Sequence, residues 1–431
     1  MLTNIDYKIA ADLEYAWLNF ELDLPLKPED DGSPNPFYVD RPGNPLARLE
    51  RELLRPYHQP PKRFFSGHRG CGKSTELYRL AANPRVRAKY WTVHFSIKEL
   101  ADINDLDFKD VLLIIGAQLY QQYTQAGKRL PEQMLRELDG WRGRIEEQVA
   151  VRSADSSERE IAGKLSAFFF ELSLKSKLEP VTRREIRQVF ERNITGLIQT
   201  IDAIATAIYA QEGRPPLVLI DDLDKPDLEV AKKIFHERRE IILQPKCAIV
   251  YTVSSPLFYS PEFEAIKDRA IFLPNVKLHE QANADGRNEE GYRTLRMFVR
   301  KRMERRLIAD DALDLAAAMS GGVFRELARI MRIAIDQALA AGRESIILPD
   351  VEHAAAELRS GYWRILTAEQ RALLRQVRAD NVMATPDKLA PLLQMLAVLE
   401  YSNGEPWCDI HPTLHAMLDE LQDNGHAHTN G

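Results

Sequence analysis

Cysteine is scarce: Cys71, Cys247 and Cys408 are the only three in 431 residues, and they lie far apart. That spacing excludes a disulfide framework and any CxxC metal pattern, and it suits a reducing cytosol. Long apolar runs are missing as well. The longest, Val111–Ala117, falls far short of the roughly 20 residues that cross a bilayer, so no membrane span is expected. Nor is there an excess of positive charge. With 58 Lys+Arg against 64 Asp+Glu the net charge is −6, and no global basic field draws the chain onto nucleic acid. The opening residues MLTNIDYKIAADLEYAW have neither the basic start nor the apolar core of a signal peptide, and a cytoplasmic location is expected. What is present is a 45% hydrophobic, 28% charged chain, the balance of a globular protein. A prior of about 150 residues per domain suggests two to four domains.

Proline and glycine punctuate the chain. A short helix is followed by the connector LPLKPEDDGSPNPFYVDRPGNP and the helix LARLERELLRP. Strands are expected at 62–66 (KRFFS), 90–97 (YWTVHFSI), 217–220, 248–253 and 270–276. From about 100 to 213 the pattern is helical, except for GKLSAFFFELSLKSKLE, whose FFFELSLK alternation reads as a candidate pair of strands. Beyond Leu278 helices are expected until about 395. EGYRTLRMFVRKRMERRL reads as one helix, VFRELARIMRIAIDQALAAG ends at Gly342, and LPDVEHAAAELRSG stops at Gly361. Two more helices and two strands around Asn403–Gly404 close the chain. Strands alternating with helices, then an all-helical block, indicate an α/β parallel sheet with a long helical insertion and a helical appendage.

Two motifs carry chemistry. Gly67-His68-Arg69-Gly70-Cys71-Gly72-Lys73-Ser74 matches the G-x-x-x-x-G-K-S/T phosphate loop, with an apolar strand before it and a helix through Thr75 after it. Glycines let backbone N–H groups converge on a phosphate at the positive end of the helix. Lys73 would reach between the β- and γ-phosphates, and Ser74 would ligate Mg²⁺. The second motif, LVLIDD, is a buried-type strand ending in Asp221 and Asp222. Asp221 would hold the Mg²⁺, and Asp222 would orient or activate the attacking water. Asp224 and Lys225 read as helix-cap and surface residues.

Together with FYVDRPGNPLARLERELL, GHRGCGKST and VLIDDLDK, these motifs give a chain that resembles AAA+ or STAND-type ATPases. Its layout is similar to that of the origin-recognition and helicase-loader group. The resemblance implies a P-loop ATPase core at 1–277 with the insertion at about 100–213, a helical lid at 278–361 and a winged-helix-like unit at 362–431. It implies that Tyr38, Val39 and Arg41 border the adenine. Sensor 1 would be Thr252 or Ser254, with Ser254 preferred, and sensor 2 would be Arg325. Arg269 would be an arginine finger acting in trans, and so implies a homo-oligomer. One departure stands out: the usual acidic pair is Asp-Glu, and here it is Asp-Asp. The shorter second carboxylate argues for a slow, switch-like ATPase.

The expected function is therefore an Mg²⁺-dependent, ATP-binding and slowly hydrolysing switch of assembly or signalling. The STAND resemblance extends the expectation to bacterial defence systems. A protein partner would dock on the helical insertion or the C-terminal unit. A DNA-associated loader, and an ATP-binding scaffold without turnover, are the alternatives. For DNA stand the six basic residues Arg296, Arg300, Lys301, Arg302, Arg305 and Arg306. Against it, DKLAPLLQMLAVLEY is mostly leucine where a recognition helix needs Arg, Lys, Asn or Gln. Cys408, His411 and His415 have a spacing that suits a metal but lack a fourth ligand, so they read as structural or incidental.

Overall fold

A strand buried on both faces needs an unbroken apolar run, and PLVLID supplies one, since every residue from Pro216 to Asp221 is buried. In the computed structural model this segment belongs to a five-stranded sheet. Described are residues 7–23, 25–29, 32–148, 161–281, 283–380, 386–402 and 406–418. The strands are β1 (Lys62–Gly67), β2 (Trp91–Ser96), β3 (Pro216–Asp221), β4 (Ala248–Thr252) and β5 (Ala270–Leu273), in the order β2-β3-β4-β1-β5. β1 runs parallel to β4, and β3 parallel to both β2 and β4, with Phe65 opposite Thr252, Ile220 opposite Tyr251 and Ser96 opposite Asp221. The carboxyl ends of β1 to β4 thus share one edge, where ligands bind in open α/β sheets. The architecture is α/β, as the alternation of strands and helices indicates.

The chain forms two compact units. The sheet unit comprises Arg48–Ser66 and Leu77–Ile271; the lid unit comprises Met1–Ala47, Gly67–Glu76 and Phe272–Gly431.

In the sheet unit, the helices Phe108–Gln125, Glu132–Gln148, Ile161–Leu178, Pro180–Arg192 and Ile194–Glu212 fill the interval between β2 and β3. The first starts on a capping box between Asp107 and Asp110. FFFELSLK lies inside Ile161–Leu178, so the expected pair of strands is a helix. The deciding contacts are tertiary. Leu165, Phe168 and Phe169 are all buried, at i, i+3 and i+4. Trp141 meets Phe168 edge-on and stacks on Phe169 and Phe190.

In the lid unit, helices Glu289–Arg300, Asp310–Met319, Phe324–Ala340 and Leu348–Ile365 share a core with Leu13, Ala16 and Phe20 of the helix Leu13–Asn19. Three expectations need correction. A short antiparallel hairpin, β6 (His279–Glu280) with β7 (Asn283–Arg287), precedes the first lid helix. That helix stops at Arg300, because Ala10 pairs its backbone with Arg302 and Glu304 in place of another helical turn. The helix from Leu348 passes through Gly361 to Ile365. A mid-helix glycine costs about 1 kcal/mol, but the next residue, Tyr362, is buried and donates to Met395 O at 3.2 Å. Helices Ala368–Asp380 and Pro386–Gln394 then lead to the antiparallel β8 (Val398–Ser402) and β9 (Pro406–Ile410), which gives the C-terminal region its winged-helix-like form. The expected turn at Asn403–Gly404 lies outside the described residues. Among the described residues no helix is long and apolar enough to cross a membrane.

Trp141 holds the insertion together. Trp141→Ala should cost ~3–5 kcal/mol of local stability, read as faster amide exchange across 161–192 with the β3 amides unaffected.

Candidate functional site

β1 delivers the chain into a loop built on glycine, and the helix Lys73–Ala82 begins at the loop's end. The first N–H groups of a helix have no partner within it, which makes this end a receptor for anions. Cys71 N donates to His68 O at 3.3 Å and closes the turn. Lys73 is buried, and its Nζ donates to Gly67 O at 2.8 Å and His68 O at 3.0 Å, so the ammonium lies folded along the loop. Thr75 Oγ1 accepts from Leu26 N at 3.2 Å. Arg69 is exposed and Cys71 fully buried.

Gly70 is the tightest point. Its φ is +78°, and a Cβ built on it would stand 2.4 Å from Arg325 Cβ. Arg325, the second residue of Phe324–Ala340, donates its backbone N–H to Gly70 O at 3.3 Å. Its side chain runs over Gly70 through Cγ and Cδ and ends with Nε on Leu22 O at 3.2 Å and a guanidinium nitrogen 3.3 Å from Asp23. Arg325 therefore lies in the first turn of the helix that seats on the loop.

Next to it, the Arg41 guanidinium lies 5.2 Å from the centre of the Phe324 ring. Arg41 is 9% exposed, and neither of its terminal nitrogens has a hydrogen-bond partner among the described residues. A buried guanidinium left this way favours an incoming acceptor. Tyr38 donates its hydroxyl to Glu76 Oε1 at 3.1 Å, and Val39 packs against the lid core. The three residues expected around a base thus lie in the same unit as the loop.

His68 has a second task that its place in the motif does not reveal. It is fully buried, edge-on to Phe272, and its Nε2 accepts from Glu400 N on β8 at 2.8 Å. The β8–β9 hairpin also holds the start of the helix Phe324–Ala340: Tyr401 donates to Gly321 O at 2.7 Å, and Leu399, Tyr401 and Trp407 cluster with Val323. Burial, then the Lys73 charge, lower the His68 pKa to about 3, which keeps the ring an acceptor. Burial raises the Glu400 carboxyl to about 8.

In the sheet unit, Asp221 and Asp222 end β3. Asp221 is buried, and its Oδ1 accepts from Asp222 N at 2.8 Å. Asp222 has φ +63°. Its Oδ2 accepts from the Ser96 hydroxyl at 2.6 Å, and its Oδ1 lies 2.8 Å from Lys225 Nζ. Burial pushes the Asp222 carboxyl up, but the Lys225 and Ser96 hydrogen bonds outweigh it and hold the group below its usual range. Asp221, Asp222 and Asp224 offer ligand oxygens within 4.8 Å of one another, the one cluster among the described residues able to hold a metal. Three convergent oxygens are the chemistry that a hard divalent cation takes.

The two sensor-1 candidates separate cleanly. Thr252 Oγ1 accepts from Leu223 N at 2.9 Å and donates to Ile220 O at 3.1 Å, which ties it to the acidic strand. Ser254 is buried, and its Oγ has no partner among the described residues. Arg269 ends the exposed turn Lys267–Arg269 just before β5. Cys408 and His411 are buried, the thiol pushed up to about 12 and the imidazole down to about 3, chiefly by burial. His411 Nδ1 lies 2.9 Å from Thr413 Oγ1. Among the described residues they fall in no group of three or more metal-ligating side chains.

Sequence reasoning missed Ser96, Asp224 and Lys225 at the acid end, and Phe324 beside Arg41. The signal for Ser96 was faint: it is the last residue of the strand that pairs with the acidic one. Asp224 and Lys225 read in the sequence as helix-cap and surface residues, whereas the next helix is capped by Asp227.

No family model matches the chain, and neither does any curated protein. Solved structures do. The chain is similar over 94% of its length to the ORC2 protein of Aeropyrum pernix, solved in ADPNP and ADP complexes, at 14% identity and a TM-score of 0.44, covering 96% of that chain. Cdc6p of Pyrobaculum aerophilum follows at 11% identity and 0.40, over 93% of this chain and 100% of that one. The RuvB branch-migration motor of Thermotoga maritima stands at 12% and 0.35, over 89% and 95%.

Two outcomes test the geometry. Gly70→Ala puts a Cβ against Arg325 at a positive φ, so it should lower stability by ~2–4 kcal/mol in urea titration. Glu400 has a raised folded pKa, so its contribution is complete below the unfolded value near 4.5 and is lost as pH rises through about 8. His68 works the other way, its contribution being lost as pH falls from 6.5 towards about 3. Glu400→Gln should therefore flatten the fall in melting temperature between pH 6.5 and 8.

Proposed function

We propose that the chain binds ATP or GTP with Mg²⁺ on the loop Gly67–Ser74 and hydrolyses it slowly, as a nucleotide-controlled switch of assembly or signalling. The observation that supports this reading is the seat of Arg325 on Gly70, through which the lid helix would report the state of the phosphate loop. Lys73, Ser74 and the N–H groups of the loop would hold the phosphates. Ser74 and Asp221 would hold the cation, which when bound neutralises charge on the phosphates. Tyr38, Val39 and the unpartnered Arg41 would border the base. Asp222 would orient the water, Ser254 would sense the γ-phosphate, and Arg269 would reach a neighbouring copy.

Domain limits at 277 and 361, the cytoplasmic location and a role in bacterial defence belong to this proposal, the last on resemblance alone. Protein partners would take the helical insertion or the C-terminal unit.

A second reading, a DNA-associated loader, has one observation in its favour. Arg293, Arg296, Arg300 and Arg305, with Met297 and Leu313, line a cavity of about 510 Å³ on the lid. Asp310 and Asp314 line it too, and they pair with Arg300, Arg305 and Arg296. Arg302 lies elsewhere: it is buried, with its guanidinium 3.7 Å from the centre of the Phe298 ring.

Lys73→Ala should abolish nucleotide binding, measured by titration with a fluorescent ATP analogue; binding equal to wild type would overturn the main reading. Arg269→Ala should remove turnover and leave binding intact. Mass measurement with and without analogue should give a larger assembly with it. Duplex DNA binding that falls steeply with salt, and is lost in Arg293→Glu, would favour the loader.

A further inference from the structure

Asp222, the residue assigned to the attacking water, is held at both oxygens. The Ser96 hydroxyl donates to Oδ2 at 2.6 Å, and the Lys225 ammonium lies 2.8 Å from Oδ1. The two partners differ in how firmly they are set. Ser96 is the last residue of β2, in register with Asp221, so the sheet fixes its hydroxyl. Lys225 sits in the turn after β3, where its backbone N–H donates to Asp222 O at 3.2 Å. Its ammonium hangs on a flexible four-carbon stem that regains rotamer freedom on release. Of the two contacts, the ammonium is the one that can let go.

The pair is also more than a surface ion pair. The two side chains are 22% and 16% exposed, so water screens the contact only in part, whereas fully solvated pairs of this kind contribute little. An ammonium bound to a carboxylate draws off the negative charge that would orient a water molecule. Aspartate has no extra methylene with which to reach past it.

We infer that Lys225 is a latch on Asp222: its ammonium occupies the carboxylate, and withdrawing it frees Asp222 to orient the attacking water. This inference rests on the hydrolase reading above and describes how that same site is regulated. Lys225 is a positioning residue, since it acts through Asp222. A partner that brings a carboxylate beside Lys225 would compete for the ammonium and raise turnover.

The test uses the full chain with Mg²⁺ and ATP, comparing wild type, Lys225→Met and Lys225→Arg, with melting curves for each. Lys225→Met should raise kcat about three- to tenfold with KM unchanged, and Lys225→Arg, which keeps a cation, should stay at the wild-type rate. An equal or lower kcat in a folded Lys225→Met overturns the latch. If the wild type binds nucleotide without detectable turnover, turnover appearing in Lys225→Met supports the latch, and none appearing overturns it. If the wild type binds no nucleotide in direct titration, the hydrolase reading itself fails, and the latch with it.

Discussion

Within the lid unit, the seating of the glycine loop depends on one close approach. Gly70 brings its backbone against the first turn of Phe324–Ala340 at a separation that leaves no room for a side chain. Given that contact, Arg325 and Phe324 stand beside the loop, and Phe324 gives Arg41 an aromatic face. The same helix start is gripped from its other side by the β8–β9 hairpin, through Tyr401 and the cluster with Val323. His68 closes the circuit by accepting from the hairpin. A change in the loop therefore meets rigid neighbours in two directions, and packed interfaces of this kind shift between discrete arrangements instead of deforming smoothly.

The sheet unit works by a different rule, that of charges held close in partial burial. Asp222 keeps its charge because Lys225 and Ser96 outweigh the penalty of burial. That arrangement stabilises the carboxylate and at the same time engages it. Both of its oxygens are engaged, Oδ2 by the Ser96 hydroxyl and Oδ1 by the Lys225 ammonium.

The C-terminal region shows how a motif can carry two meanings. His68 belongs to the phosphate-loop pattern by position, yet its ring is spent on Glu400. Neutrality of the imidazole is a condition of that bond, because a protonated ring has no lone pair to offer an N–H. Burial secures it.

Much of this was legible in the linear chain. A phosphate loop is local: its glycines, lysine and serine are contiguous, and a strand before and a helix after are read from short-range pattern. The same holds for β3, whose apolar run and terminal aspartates announce a buried strand with an acidic end. The order of the strands, the helix over FFFELSLK and the hairpin at β6–β7 were not legible in this way. Phe168 and Phe169 are consecutive and suit either period until Trp141 is placed against them. The partners of Asp222 lie 126 residues before it and three after it, and nothing in either neighbourhood marks them as a pair. Residue types and spacing along the chain determined which groups could meet a phosphate. Only the parallel register of β2 with β3, and the absence of a Cβ at Gly70, decided which of them stand together, because both are distances across space that no one-dimensional pattern encodes.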